Sequence, residues 1–359
     1  MQKNFLEMFS PKIGLHGSRE AEGRLLIIYT GGTMGMHFDP QVKTLVPFDF
    51  SDIAATLPEL SRFHLTLDFI AFRQPIDSSN MKPDHWIALV TLIQEHYQEY
   101  DGFVILHGTD TMAYTASALS YMLENLNKPV VFTGAQLPLS EVRSDARENL
   151  VTAIEIAAVR KNGNPLVKEV CIYFNHALMR GNRAKKLQSS HFDAFLSENY
   201  PNLAEAGISI EFNEKVLYQP ADGPLKIYTS LEPNVLIVKL FPGITRQVVE
   251  CLFNTPGLKG VVLETFGAGN APTDSWLEAI LKQASDRGIV VFNVSQCIGG
   301  TVFQGRYDTS RQLEASGVVS GKNITSEAAI TKLMFVLANK PFSDNVKRAL
   351  EESVRGEMN

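Results

Sequence analysis

A chain of 359 residues is too long for one small core and comfortable for two domains, and its 45% hydrophobic and 20% charged content is that of a soluble globular protein. A net charge of −6 leaves no basic surplus to neutralise phosphates, so nucleic acid is not an expected partner. Cys171, Cys251 and Cys297 are odd in number and lack metal-ligand spacing, which argues for a reducing compartment over a disulfide framework.

Along the chain, residues 1–23 carry little pattern and read as a partly ordered N-terminal extension without the continuous apolar segment of a secretory leader. The expected location is the cytoplasm, and no stretch is apolar and long enough to span a bilayer. Leu25–Tyr29 is an uninterrupted apolar run, the pattern of a strand buried on both faces of a parallel sheet. Alternation follows: a predicted helix over 84–97, strand 103–106, helix 112–126, strand 129–132, helix 150–159 and strand 170–174. Polar and turn residues between Asn213 and Pro233 predict a linker. Beyond it come a strand over 235–240, helix 245–253, strand 261–264, helix 274–287, strand 289–294 and closing helices near 326–339 and 343–354.

Strand–helix alternation of this kind predicts an α/β fold of two domains, each an open, mostly parallel sheet with helices on both faces and right-handed connections. The expected division is an extension over 1–23, a larger domain over 24–212, a linker over 213–233 and a smaller domain over 234–359.

Ligands of open α/β sheets bind beyond the carboxyl ends of strands. After the first strand stands Thr30-Gly31-Gly32-Thr33, whose glycines permit a tight turn and close backbone approach. N–H groups there, Gly32 included, suit an oxyanion hole, and Thr33 offers a hydroxyl; a purely structural turn is the alternative. After the strand at 103–106 stands His107-Gly108-Thr109-Asp110-Thr111, leading into a helix whose N-terminus suits a carboxylate. Helix capping is the plainer reading of Thr109 and Asp110. No phosphate loop, Gly-x-Gly-x-x-Gly fingerprint or Gly-x-Ser-x-Gly elbow occurs at these positions. Neither a metal nor a cofactor is expected.

Tyr29-Thr-Gly-Gly-Thr-Met-Gly35 and Leu106-His-Gly-Thr-Asp-Thr-Met112 together resemble the two signature segments of bacterial-type L-asparaginases, closest to the cytoplasmic type I branch. Further likeness runs through Asp77-Ser-Ser-Asn-Met81, Thr133-Gly-Ala-Gln136, Arg180-Gly-Asn-Arg183 with Lys186, Gly267-Ala-Gly-Asn270 and Ser326-Glu-Ala-Ala329. The resemblance implies hydrolysis of L-asparagine to L-aspartate and ammonia through a threonine nucleophile and an acyl-enzyme. Thr33 and Thr109 would face the substrate from opposite sides, with Lys186 coupled to Thr109 and Asp110. Asp110 would bind the substrate amino group, and Ser78 with Asp77 and Ser79 the α-carboxylate and amino group. Backbone groups at Ala135 would meet the side-chain amide. Asn270 would reach the site from a neighbouring subunit of a homodimer or homotetramer.

The chemistry is coherent. An alcohol needs a base to become a good nucleophile, and a desolvated lysine can serve as one. A solvated surface lysine is the alternative for Lys186. The sequence departs from the resemblance where many relatives carry a loop tyrosine, a position occupied by Leu45; Tyr307, in Gly305-Arg-Tyr-Asp308, is the candidate to supply that phenol, with packing at the domain surface its alternative. Two rival functions stand beside asparagine hydrolysis: a broader amidase acting on glutamine or D-asparagine, and a catalytically weak amino-acid-binding protein.

Overall fold

The apolar runs become strands because nothing polar interrupts them: Leu25–Ile28, Phe103–Leu106 and Val130–Phe132 are wholly buried. The computed structural model describes residues 4–16, 21–39, 44–47, 57–305 and 308–359. By its internal contacts the chain divides into Met1–Ser197 with Pro201–Thr229, and Glu198–Tyr200 with Ser230–Asn359.

The first unit is built on a nine-stranded sheet. Five strands at its centre are parallel, in the spatial order Thr66–Ala71, Arg24–Tyr29, Gly102–Leu106, Val130–Thr133 and Val170–Phe174. Antiparallel strands extend both edges: Ile13–His16 pairs with Thr66–Ala71 on one side, and Ala177–Arg180, Ala204–Ala206 and Ile210–Phe212 continue the other. Helix Ala146–Ala158 packs on the parallel strands, and helix Met112–Met122 packs on Val170–Phe174 and on helix Pro83–His96.

The strand order fixes where a ligand can enter. From Arg24–Tyr29 the chain proceeds to Thr66–Ala71 on one side, whereas from its other neighbour, Gly102–Leu106, it proceeds to Val130–Thr133 in the opposite direction. Loops leaving adjacent strands in opposite directions open a crevice at their carboxyl ends. Both threonine motifs stand at that crevice.

The second unit has a four-stranded, wholly parallel sheet in the order Val235–Lys239, Gly260–Thr265, Val290–Ser295 and Val319–Ser320. Helix Ser326–Ala338 packs on its first three strands, and Val238, Val261, Leu263, Leu277, Leu281 and Val291 belong to its core. The expected α/β class, with two mostly parallel sheets, is the observed one.

Several expectations change in detail. The stretch read as an N-terminal extension supplies the edge strand Ile13–His16 and buries Phe9, whose ring lies 4.4 Å from that of Phe72. The helix expected over 112–126 stops at Met122, because the backbone of Leu123–Glu124 pairs with Lys226–Ile227. That pairing also draws most of the expected linker into the first unit, which runs to Thr229. The closing helix expected over 343–354 is a 3-10 turn, Phe342–Asn345, followed by helix Val346–Glu351.

Candidate active site

The sheet ladder does not stop at the strand ends. Thr30 N–H donates to Leu106 O at 2.9 Å, Ile76 N–H to Thr30 O at 2.8 Å, and His107 N–H to Thr133 O at 2.9 Å. These bonds carry four loops alongside one another, and glycines let them touch. A methyl group on Gly32 would lie 2.5 Å from Gly108 Cα, one on Gly108 would lie 2.6 Å from Ser78 Oγ, and one on Gly134 would lie 2.4 Å from His107 O. Side chains at these positions would force the loops apart, so the glycines are what allows the Thr-Gly-Gly-Thr, Asp-Ser-Ser-Asn, His-Gly-Thr-Asp and Thr-Gly-Ala-Gln segments to form one floor. Gly32 has φ 94°, which a side chain would also oppose.

On this floor, Thr33 is half-buried and opens the 3-10 turn Thr33–Gly35. Ser78 is buried, and its carbonyl accepts a hydrogen bond from Thr111 Oγ1 at 2.7 Å. Asp77 accepts from Ser79 N–H at 2.9 Å and from Ser79 Oγ at 2.8 Å. Those two bonds hold the Asp77 carboxyl below its ordinary range. Ala135 is buried in the turn after Val130–Thr133.

Lys186 comes from a different element, the short hairpin pairing Lys185–Lys186 with Phe195–Leu196. Its Nζ donates to Thr109 Oγ1 and to Asp110 Oδ1, each at 2.7 Å. The lysine side chain is 17% exposed and the aspartate 66%, so the ion pair sits at the rim with its cationic end turned inward. This is not a solvated surface lysine, although its neighbour in sequence is also a lysine. The arrangement joins a hydroxyl, an ammonium and a carboxylate, groups whose charges complement those of a small zwitterion.

Three contributors went unassigned in the sequence. Gln136 Oε1 accepts from Thr109 Oγ1 at 3.3 Å, and its Nε2 donates to His191 O at 2.9 Å. Asp145 takes the backbone N–H of Gln136 at 3.0 Å and of Leu137 at 3.0 Å, tying down the turn that holds Ala135. His107 is buried under the floor with Nδ1 2.7 Å from Gly108 O, and burial pushes its imidazole down to about 4. The only sequence signal for Gln136 was its place at the end of a segment already singled out.

Asn270 belongs to the second unit, where its N–H and carbonyl both pair with Phe266 in a tight turn. Tyr307 lies outside the described residues. Leu45 stands opposite Phe38 in the hairpin of Met36–Asp39 with Thr44–Pro47.

Comparison with known proteins follows the same outline. The chain is 42% identical over 335 residues to L-asparaginase 1 of Escherichia coli, covering 93% of this chain and 97% of that one. The crystal structure of L-asparaginase I from Vibrio cholerae superposes with a TM-score of 0.85 at 40% identity, over 94% of this chain and all of that one. The chain is also 41% identical to the human 60 kDa lysophospholipase over 361 residues, which covers 94% of this chain and 62% of that larger protein. Residues 24–218 match the family model of the asparaginase N-terminal domain and residues 234–350 that of the glutaminase/asparaginase C-terminal domain, so the chain belongs to the asparaginase family.

Proposed function

We propose that this protein hydrolyses the side-chain amide of L-asparagine to L-aspartate and ammonia through a threonine nucleophile. The observation that carries this reading is Lys186 donating to Thr109 and Asp110 at the crevice where the Gly31–Gly32 turn presents Thr33. In the proposed reaction a threonine Oγ bonds to the carboxamide carbon and gives up its proton. The C–N bond then breaks, and nitrogen leaves with an added proton as ammonia. Water attacks the resulting ester, restoring the hydroxyl and releasing aspartate. Gly32 N–H and backbone groups at Ala135 hold the amide oxygen and nitrogen. Asp110 takes the substrate ammonium, and Asp77, Ser78 and Ser79 its α-carboxylate and amino group. Tyr307 is proposed to supply a phenol to Thr33 in place of Leu45. The expected setting is cytoplasmic, and the expected assembly a homodimer or homotetramer in which Asn270 serves a neighbouring subunit.

The test is ammonia release by purified protein offered L-asparagine, L-glutamine and D-asparagine separately. L-Asparagine is expected to give the highest kcat/KM. Thr33→Ala and Thr109→Val are each expected to lower kcat by orders of magnitude with the thermal midpoint preserved. Faster release from glutamine would make the protein a broader amidase, and near-parental turnover by either variant would remove that threonine from the chemistry.

A further inference from the structure

Hydrogen-bond polarity around Thr109 is fixed from outside. His191 O is a carbonyl and only accepts, so the Gln136 group 2.9 Å from it must be the Nε2 donor. That leaves Gln136 Oε1 facing Thr109 Oγ1 at 3.3 Å. A carboxamide oxygen also only accepts, so the Thr109 hydroxyl must direct its proton at Gln136. Its lone pairs are then turned to Lys186 Nζ at 2.7 Å, which donates to them as it donates to Asp110. With Lys186 protonated, each of these resting hydrogen bonds runs in one direction.

We infer that Gln136 is a positioning residue that sets the proton direction of the Thr109 hydroxyl and couples it to the hairpin carrying Lys186. This inference rests on the proposed amide hydrolysis. Its backbone is suited to the task, because the Asp145 carboxylate holds Gln136 N–H at 3.0 Å and fixes the base of the side chain. His191 lies in the connection between Lys185–Lys186 and Phe195–Leu196, so one carboxamide braces both the hydroxyl and the hairpin that delivers its lysine partner. With this brace the Thr109 oxygen keeps a lone pair toward the ammonium and its proton on the far side. Without it the Thr109 hydroxyl loses its carboxamide acceptor and the hairpin loses a tie, so the fraction of molecules with the Thr109 oxygen set against Lys186 falls.

Two substitutions separate this role from simple packing. Gln136→Leu keeps the bulk and removes both bonds; kcat for asparagine is expected to fall about tenfold or more, KM to change by less than about threefold, and the thermal midpoint to hold. Gln136→Glu keeps an acceptor for the Thr109 hydroxyl but cannot donate to His191 O, and its added negative charge favours retention of a proton nearby. It is expected to retain more activity than Gln136→Leu and to move the acid limb of the kcat–pH profile upward. Parental kcat in Gln136→Leu, or a fall that tracks a lower thermal midpoint, overturns the positioning role while leaving the proposed hydrolysis intact. Failure of the parent protein to release ammonia from asparagine overturns the proposed function and this inference with it.

Discussion

At the scale of single residues, the candidate site is a set of polar groups whose neighbours decide their state. His107 shows the effect of burial most directly. Its Nδ1 donates to Gly108 O, which fixes the neutral tautomer, and Phe132 packs edge-on at 5.9 Å between ring centres. Burial lowers its imidazole from 6.5 to about 4. An unfolded chain therefore binds a proton there more readily than the native one, and protonation favours unfolding. Stability is fully present above pH 6.5 and is lost as pH falls toward 4, by up to ~3 kcal/mol from this group alone. Urea unfolding at pH 7 and pH 4.5 reads this loss, and His107→Gln is expected to flatten it. An equally steep loss in His107→Gln would show that other groups govern acid unfolding.

At the scale of elements, the second unit carries a buried ion pair that joins a helix to the chain's last residues. Lys332, on helix Ser326–Ala338, donates to Glu357 Oε1 at 2.7 Å, Glu352 O at 2.7 Å and Leu350 O at 2.9 Å, with Met358 Sδ at 3.8 Å. Burial pushes the lysine down. Burial also pushes the Glu357 carboxyl up, but the Lys332 charge and the N–H groups of Val354 and Arg355 outweigh it, so the net direction is down. Removing one partner leaves the other charged and buried without compensation. Lys332→Met is expected to destabilise the protein by about 3–5 kcal/mol, and adding Glu357→Gln to recover part of that loss. Denaturant midpoints of the single and double variants check this, and a double variant no more stable than the lysine variant would show that the pair does not act as a unit.

Elements were legible in the sequence where burial was continuous. Val170–Phe174 is a strand over just the residues its apolar run predicts, because all five are buried. Thr66–Ala71 escaped notice because Asp68 interrupts its apolar run, and that aspartate is tolerated inside only through Arg24 at 2.9 Å and Tyr100 Oη at 2.6 Å. Ile13–His16 escaped because a short edge strand needs little hydrophobic pattern of its own. The threonine motifs were legible as segments, since their glycines and spacing are local, whereas Lys186 stood out only through the resemblance, because Thr109 and Asp110 lie 77 and 76 residues away. The part played by Gln136 was not, because its partners lie 27 and 55 residues away and meet it only through strand order.

At the scale of the whole molecule, the proposed shared site turns on Asn270, which belongs to the second unit. Asn270 is held in a turn bonded to Phe266 at both N–H and carbonyl, so its position within its own unit is well fixed. In a symmetric assembly the residue that one subunit lends, it also borrows. If Asn270 serves a neighbour, Thr33→Ala and Asn270→Ala are each defective alone, yet a hybrid of the two contains one site with both residues intact. Random reassociation into dimers makes half of them hybrids with one working site of two, so co-expression of the variants should return roughly a quarter of the parental activity. Light scattering should give a multiple of the 39.8 kDa chain mass under the same conditions. If Asn270 acts within its own chain, every subunit of every hybrid carries one defect, and the mixture stays as inactive as its parts. That outcome, or full activity in a monomer, would overturn the shared site.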